Sequence, residues 1–374
     1  MRVAGGLVRR WGGRAVGLAI TGVGLYVVAP SLLSLFGTWP RLADVELWWF
    51  PILAVLEGCS FAALWWLADL ALAQDTGDQD TADQDTGDQE PRPVRAGLGT
   101  IATAQLAGNA ASKVVPGGPA TGGVVQARLL IQAGQSSAVV ASALTAIGLI
   151  TTAVLLLLPV LTVPALLIGP PPARQLELGL LVSLIMAVLI VGLGLTALKW
   201  RRFVLLIGRA AGRVIHVVKR SVTPDNCAAL LATQRNRVAA AFDGHWWGAA
   251  LAAAANRMFD YAALVAALAA LDAHARPTEV LMAYVVAQAL AMIPITPGGL
   301  GFVDAGLTAL LVLIGVSPDT ALIGTLLYRL VSFWLPIPVG LLAWAGWRIH
   351  RHVTDPSRAE LPTAAAEDEE GQTP

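Results

Sequence analysis

The chain has 374 residues, of which 56% are hydrophobic and only 13% are charged, and its mean hydropathy is +0.66. An average soluble domain carries about 25% charged residues, so this composition excludes an ordinary soluble enzyme and a disordered protein. Cys59 and Cys227 are too few for a disulfide framework or a zinc site. We therefore expect an all-α polytopic membrane protein, provided that the apolar residues come in runs of about 20.

Such runs follow a short N-terminal segment, residues 1–15. Two further apolar segments, 96–134 and 278–316, are each broken near the middle by Pro-Gly-Gly, and we expect each to form a broken helix pair, re-entrant or hairpin. The overlong run 137–168 contains Pro159 and Pro164, so its helix should kink or end early. The predicted full spans, each long enough to cross about 30 Å of hydrocarbon, are 16–36, 48–73, 137–168, 177–198, 246–271 and 320–347.

Basic residues predict the orientation of these spans. If the N-terminus is cytoplasmic, the predicted cytoplasmic segments hold 18 Lys and Arg residues, and the predicted outside loops hold three. Because basic residues are retained on the cytoplasmic side, this asymmetry places both termini in the cytoplasm. The transmembrane domain should cover 16–347, followed by a disordered tail, 348–374.

Two segments between spans differ in character. Residues 74–95 contain an acidic repeat, TGDQD-TADQD-TGDQE, which has no apolar residues for a core and predicts a disordered loop. Residues 199–245 form a basic cytoplasmic loop, in which Arg209, Arg213, His216 and Arg220 share one helical face. This pattern fits an interfacial helix on anionic lipid, and it fits an ordinary positive-inside loop equally well.

The two broken segments are related to one another. An offset of 181 aligns Pro-Gly-Gly at 116–118 with 297–299, Gly134 with Gly315, and Ser136 with Ser317. An odd number of predicted spans separates the copies, so the second enters the membrane from the opposite side. That arrangement is an inverted repeat, as in many transporters whose discontinuous helices hold substrate near the midplane. The alternative is a pair of ordinary kinked hairpins.

The predicted membrane segments also carry polar and charged residues, which are costly there unless they face a partner or a watery cavity. Helices that resume after Gly118 and Gly299 present free N–H groups, which favour anions. Three arginines near the breaks favour a pocket for an anionic headgroup, since guanidinium binds phosphate bidentately. The candidate substrate-binding residues are Arg128, Arg257, Arg329, Asp304, Glu57, Asp260, Gly118 and Gly299. For any one of them, a structural ion pair is equally consistent, as for Arg257 with Asp260.

The sequence contains no motif that indicates catalysis, nucleotide binding or metal binding. The five histidines lie outside the span cores, and no nucleotide-binding glycine loop is present, since GLGT at 97–100 lacks a following Lys-Ser/Thr. We expect no catalytic residues, no metal, no cofactor and no nucleic-acid partner.

Residues 292–344 resemble a signature of the lysylphosphatidylglycerol synthase transmembrane (flippase-like) family. The matching positions are Pro297, Gly298, Gly299, Gly301, Asp304, Gly315, Ser317, Arg329, Pro336 and Gly340. Asp304 stands where the family usually has Glu. Residues 108–137 resemble the first signature, with Arg128 and Gly134 in place, but they lack the acid that often precedes the Arg.

The resemblance implies a bacterial inner-membrane protein that moves or binds lipid headgroups. Some relatives carry an aminoacyltransferase domain, but about 27 residues after the last predicted span are too few for one, so we expect no synthase activity. The leading hypothesis is a flippase for an anionic or aminoacylated lipid, including a polyprenyl-phosphate-linked one. The alternatives are a non-transporting lipid-binding subunit that scaffolds envelope-synthesis enzymes, and a carrier of a small soluble anion.

Overall fold

The computed structural model describes residues 45–73, 96–115, 118–158, 200–218, 223–240, 244–291 and 299–354, with a few isolated positions between 185 and 196. Several predictions fall outside these residues: the span 16–36, most of the span 177–198, the acidic loop 74–95, the tail beyond 354, and the Pro-Gly pairs of both breaks.

The described part of the chain is all-helical, as predicted, with no strand. A five-residue π-helical turn, Leu330–Trp334, separates the last two helices. The α-helices are α1 (Trp49–Ala73), α2 (Leu98–Val114), α3 (Pro119–Gln132), α4 (Ser137–Leu157), α5 (Arg201–Val218), α6 (Pro224–Ala240), α7 (Trp246–Ala269), α8 (Pro277–Ala291), α9 (Phe302–Leu313), α10 (Pro318–Arg329) and α11 (Pro336–Thr354).

Within the described residues, four helical stretches are long and apolar enough to cross a membrane: α1, α4, α7, and the continuous stretch Pro318–His350. These coincide with four of the six predicted spans. The described part of the helix predicted over 137–168 is α4, which ends at Leu157, two residues before Pro159. The stretch Pro318–His350 is not a uniform α-helix, since the π turn interrupts it.

The predicted basic loop 199–245 contains a helical hairpin formed by α5 and α6. A Cβ atom on Gly208 would lie 2.5 Å from the Cα of Ala228, so glycine permits the close approach of the two helices. Arg209 Nε also lies 3.1 Å from Asp225 Oδ1, an exposed ion pair. Leu206 remains 67% exposed on α5, as an interfacial helix requires.

Helices α1 and α7 pack side by side through two apolar clusters. Leu53 of α1 and Leu264 of α7 belong to one cluster, together with α8 to α10. Leu67 of α1 and Ala252 of α7 belong to the other, together with α2, α3 and the first half of α4. Between these positions α1 carries Glu57 and Ser60, and α7 carries Asn256, Arg257 and Asp260, so the two helices hold a layer of polar side chains between two apolar clusters.

The two copies of the predicted repeat have the same local backbone. Gly134 and Gly315 follow α3 and α9 with φ of 99° and 94°. Both turns contain a 6→1 hydrogen bond, from Gln135 N to Leu130 O and from Val316 N to Leu311 O, each 3.1 Å long. The next residues, Ser136 and Ser317, cap the N-termini of α4 and α10 through their side chains. Each copy is therefore a helix, a left-handed glycine turn and a serine-capped helix.

Candidate functional site

A cavity of about 390 Å³ lies in the polar layer between the two apolar clusters. Its wall is formed by helices α1, α2, α4, α7, α8 and α10, together with the N-terminus of α3 and the π turn. The charged and amide side chains on the wall are Glu57, Gln105, Asn109, Lys113, Asn256, Arg257, Asp260, Gln288 and Arg329.

A direct contact between α1 and α7 fixes one side of the cavity. Asn256 Nδ2 donates to the backbone carbonyl of Ser60 at 3.0 Å and lies 2.9 Å from Ser60 Oγ. Ser60 Oγ in turn donates to the backbone carbonyl of Asn256 at 3.1 Å. These reciprocal bonds set the relative position of the two helices beside Glu57 and Asp260.

Asp260 is held by three uncharged donors from other helices. Tyr284 Oη and Gln288 Nε2, both on α8, donate to Asp260 Oδ2 at 2.7 and 2.8 Å. Tyr328 Oη on α10 donates to Oδ1 at 2.8 Å. Hydrogen bonds to a charged acceptor are stronger than neutral ones. The Asp260 carboxylate therefore joins α7, α8 and α10 through these three bonds.

Lys113 connects α2 to the π turn. Its Nζ donates to the backbone carbonyl of Ser332 at 2.7 Å and lies 5.2 Å from the centre of the Phe333 ring. Arg329 lies 5.6 Å from the same ring. The Phe333 ring thus contacts two cations, which attract its π face.

Arg329 also has an acidic neighbour. Its Nε lies 2.6 Å from Asp304 Oδ1, an ion pair by distance rather than a directed hydrogen bond. Both side chains are mostly buried, at 13% and 18% exposure. The other oxygen of Asp304 accepts from the backbone N of Gly301 at 2.9 Å and so caps the N-terminus of α9.

Four buried polar atoms on the cavity wall have neither a hydrogen-bond partner nor an ion-pair partner within the described residues: Glu57 Oε2, Gln105 Oε1, Asn109 Oδ1 and Arg257 Nε. A buried polar atom without a partner costs about 1–3 kcal/mol. Atoms on the wall of a polar cavity can bind water or a polar ligand there. Three of the four are oxygen atoms, two from amides and one from a carboxyl group, and the fourth is a nitrogen of a guanidinium. The wall can therefore contact both positively and negatively charged groups of a ligand.

The predicted site residues divide into two groups. Glu57, Arg257, Asp260, Arg329, Gly118 and Gly299 all line the cavity. Gly118 has a φ of 54° and precedes Pro119 at the start of α3, so the resumed helix begins on the cavity wall. Asp304 lies behind Arg329 and is not a wall residue. Arg128 is exposed on α3 and also does not line the cavity.

Three wall residues on α2 were missed as site candidates: Gln105, Asn109 and Lys113. Their spacing of four places them on one helical face, a polar stripe in an otherwise apolar segment. That stripe was a readable signal. Two of the donors to Asp260, Tyr284 and Gln288, also lie four residues apart on α8, whereas the third, Tyr328, comes from α10 and shares no such spacing with them.

The formal charges around the cavity balance. Lys113, Arg257 and Arg329 are positive, Glu57 and Asp260 are negative, and Asp304 compensates Arg329 from behind. Within the described residues, no group of three or more His, Cys, Asp or Glu side chains could hold a metal ion.

Residues 14–340 match the family model described as the lysylphosphatidylglycerol synthase TM region. The chain belongs to this family. The match includes every element that lines the cavity, and it extends over the predicted spans outside the described residues.

Two short stretches resemble archaeal members of the same family. A UPF0104 membrane protein of Pyrococcus horikoshii is 39% identical over 62 residues, which is 17% of this chain and 18% of the relative. A UPF0104 membrane protein of Methanothermobacter thermautotrophicus is 38% identical over 60 residues, 16% of this chain and 18% of the relative. Each match spans less than a fifth of the relative's length, and neither name states an activity.

Proposed function

We propose that this membrane protein binds the headgroup of an anionic or aminoacylated lipid in the cavity and carries the lipid between leaflets. A polyprenyl-phosphate-linked lipid belongs to this class. On this proposal the protein is a transporter of the bacterial inner membrane, not an enzyme, with both termini in the cytoplasm. The two repeat units enter from opposite sides and bring their breaks to the same cavity.

The observation that carries the proposal is the cavity itself, a charged site between two apolar clusters in a family of membrane domains. Lys113 and Arg257 bring positive charge to the wall, and Arg257 Nε has no partner among the described residues. The helix that starts after Gly118 adds a positive dipole end to the same wall. Together these groups can bind a phosphate, and Glu57 can bind an amine.

The test compares two Arg→Gln variants of the full chain in reconstituted vesicles. Arg257→Gln removes a wall cation, whereas Arg128→Gln removes an exposed arginine of α3. Loss of one charge-assisted contact costs about 1.5–3 kcal/mol, or roughly ten- to a hundred-fold in binding. We expect Arg257→Gln to slow translocation of a fluorescent phosphatidylglycerol by that factor, with wild-type folded yield, and Arg128→Gln to be unaffected.

The outcomes separate the candidate functions. An equal loss of translocation in Arg257→Gln and Arg128→Gln contradicts the assignment of the cavity as the lipid-binding site. Lipid binding without translocation by the wild type favours a non-transporting subunit that presents lipid to envelope-synthesis enzymes. Binding of inorganic phosphate but not of the lipid favours a carrier of a small soluble anion.

A further inference from the structure

The two acids of the cavity wall are held very differently. Asp260 accepts three hydrogen bonds from Tyr284, Gln288 and Tyr328. Glu57 is only 7% exposed, and its Oε2 has no hydrogen-bond partner within the described residues. A change of protonation at Asp260 would disturb one of its three hydrogen bonds, whereas a change at Glu57 Oε2 breaks none within the described residues. Glu57 is therefore the acid that can change its protonation with little rearrangement.

Charged and titratable groups surround Glu57 from each helix that packs against α1. Helix α7 contributes Arg257 and Asp260, and α2 contributes Lys113. The π turn adds no charged side chain of its own, but Arg329 and Tyr328 precede it on the cavity wall. Helix α4 contributes Ile147 and Thr151 to the wall, neither of which titrates.

The balance of formal charges has a consequence for ligand binding. In the form of the site in which all six groups are ionised, the empty site is neutral, and one bound anion would leave that form with a net negative charge. An uncompensated charge in a buried, poorly solvated site is strongly unfavourable. A proton on Glu57 restores neutrality, and it also removes the repulsion between Glu57 and Asp260.

We propose that Glu57 takes up one proton when an anionic headgroup binds, so that headgroup and proton occupy the cavity together. The proton comes from solvent and adds to the carboxylate, which becomes a neutral acid able to donate a hydrogen bond. This inference rests on the proposed function, because it assumes that the cavity binds an anion. By reciprocity, the anion must raise the affinity of the site for the proton as much as the proton raises the affinity for the anion.

The test is a calorimetric titration of the detergent-solubilised full chain with dihexanoylphosphatidylglycerol, in two buffers of different ionisation enthalpy. The phosphodiester of this probe keeps one negative charge near neutral pH, so any proton taken up belongs to the protein. At a pH at which the empty site holds Glu57 ionised, the wild type should take up about one proton per probe bound. In that pH range, its affinity for the probe should fall about tenfold for each unit by which the pH rises.

Three variants test whether Glu57 is the residue that takes up the proton. Glu57→Gln should bind the probe at least as tightly as the wild type at high pH, with no proton uptake and a flat pH profile. Glu57→Asp keeps an acid and should retain uptake. Asp69→Asn changes a carboxylate of the same helix away from the cavity wall and should behave as the wild type.

Each contrary result has a distinct meaning. Binding by the wild type without proton uptake overturns the inference and leaves the proposed function standing. Uptake that persists in Glu57→Gln overturns the assignment to Glu57. Should Glu57→Gln fail to fold, the wild-type proton count and the Glu57→Asp profile still decide. If the wild type does not bind the probe in any buffer, the proposed function fails and this inference fails with it.

Discussion

Lys113 donates a hydrogen bond to the backbone carbonyl of Ser332 across 219 positions of the chain. The bond joins the end of α2, just before the first glycine break, to the π turn of the last membrane stretch. It also supplies a partner to a carbonyl in a turn whose hydrogen-bond pattern departs from that of an α-helix.

We predict that Lys113→Met lowers the stability of the folded protein. Methionine keeps most of the apolar length but leaves the Ser332 carbonyl without its donor, at a cost of about 1–3 kcal/mol. The measurement is the midpoint of unfolding in mixed detergent for the full chain. Arg128→Met, an exposed cation of α3, is the control. Equal midpoints for Lys113→Met and the wild type contradict a structural role for this bond.

The pairing of Arg329 with Asp304 predicts a strong coupling between two mutations. Arg329→Gln leaves Asp304 mostly buried without its counter-ion, which costs about 3–5 kcal/mol. Asp304→Asn in the same chain removes that stranded charge, so the double variant should be more stable than Arg329→Gln alone. The measurement is a double-mutant cycle on unfolding free energies. Additive effects would show that the two side chains act independently.

Two glycines of α11 give a matched test of helix packing. A Cβ atom on Gly340 would overlap the backbone carbonyl of Leu106 and lie 2.9 Å from Ala110 Cβ, whereas one on Gly346 meets nothing within 4 Å. Gly340→Ala must therefore push α11 away from α2, at about 1–3 kcal/mol. Gly346→Ala should be neutral or slightly stabilising, since alanine favours helix. A similar unfolding midpoint for both variants would refute the close packing.

The orientation of the chain can be tested in intact cells with an impermeant maleimide. In a background that lacks Cys59 and Cys227, Arg276→Cys should be labelled from outside, because the turn between α7 and α8 is predicted to be external. Arg235→Cys, in the helical hairpin, should be labelled only after the cells are opened. Labelling of Arg235→Cys alone in intact cells would reverse the predicted topology.

Hydropathy alone predicted α1 and α7 to within two residues of their ends, 48–73 against Trp49–Ala73 and 246–271 against Trp246–Ala269. A long apolar run has a single stable form in lipid, because a helix satisfies its own backbone groups. The Pro-Gly-Gly motifs also located the break glycines on the cavity wall. Gly118 has a φ of 54°, which residues other than glycine rarely adopt, so a glycine is needed there.

It was harder to predict from the sequence which charged residues line the cavity. Position in a span gives approximate depth, but it does not say which helical face meets the cavity. Arg128 and Lys113 flank the same break, yet Lys113 lies on the wall and Arg128 is exposed on α3. The pairing of Arg329 with Asp304 depends on how α9 and α10 pack. The two residues lie on different helices, 25 positions apart, so helical spacing in the sequence could not predict their contact. The π turn likewise has no distinctive sequence.

The π turn sets the rotation of α11 relative to α10 in the last membrane stretch. A π turn carries one more residue than an α-helical turn, and one residue of an α-helix corresponds to about 100° of rotation and 1.5 Å of rise. Conversion of Leu330–Trp334 to α geometry would therefore swing Ser332 and Phe333 around the axis while Tyr328 stays bound to Asp260. Lys113 would lose its acceptor in the same movement. Because α11 follows the turn and packs on α2, this conversion would also require α11 to rotate or shift, so the shape of this cavity wall is coupled to the packing of α11 on α2.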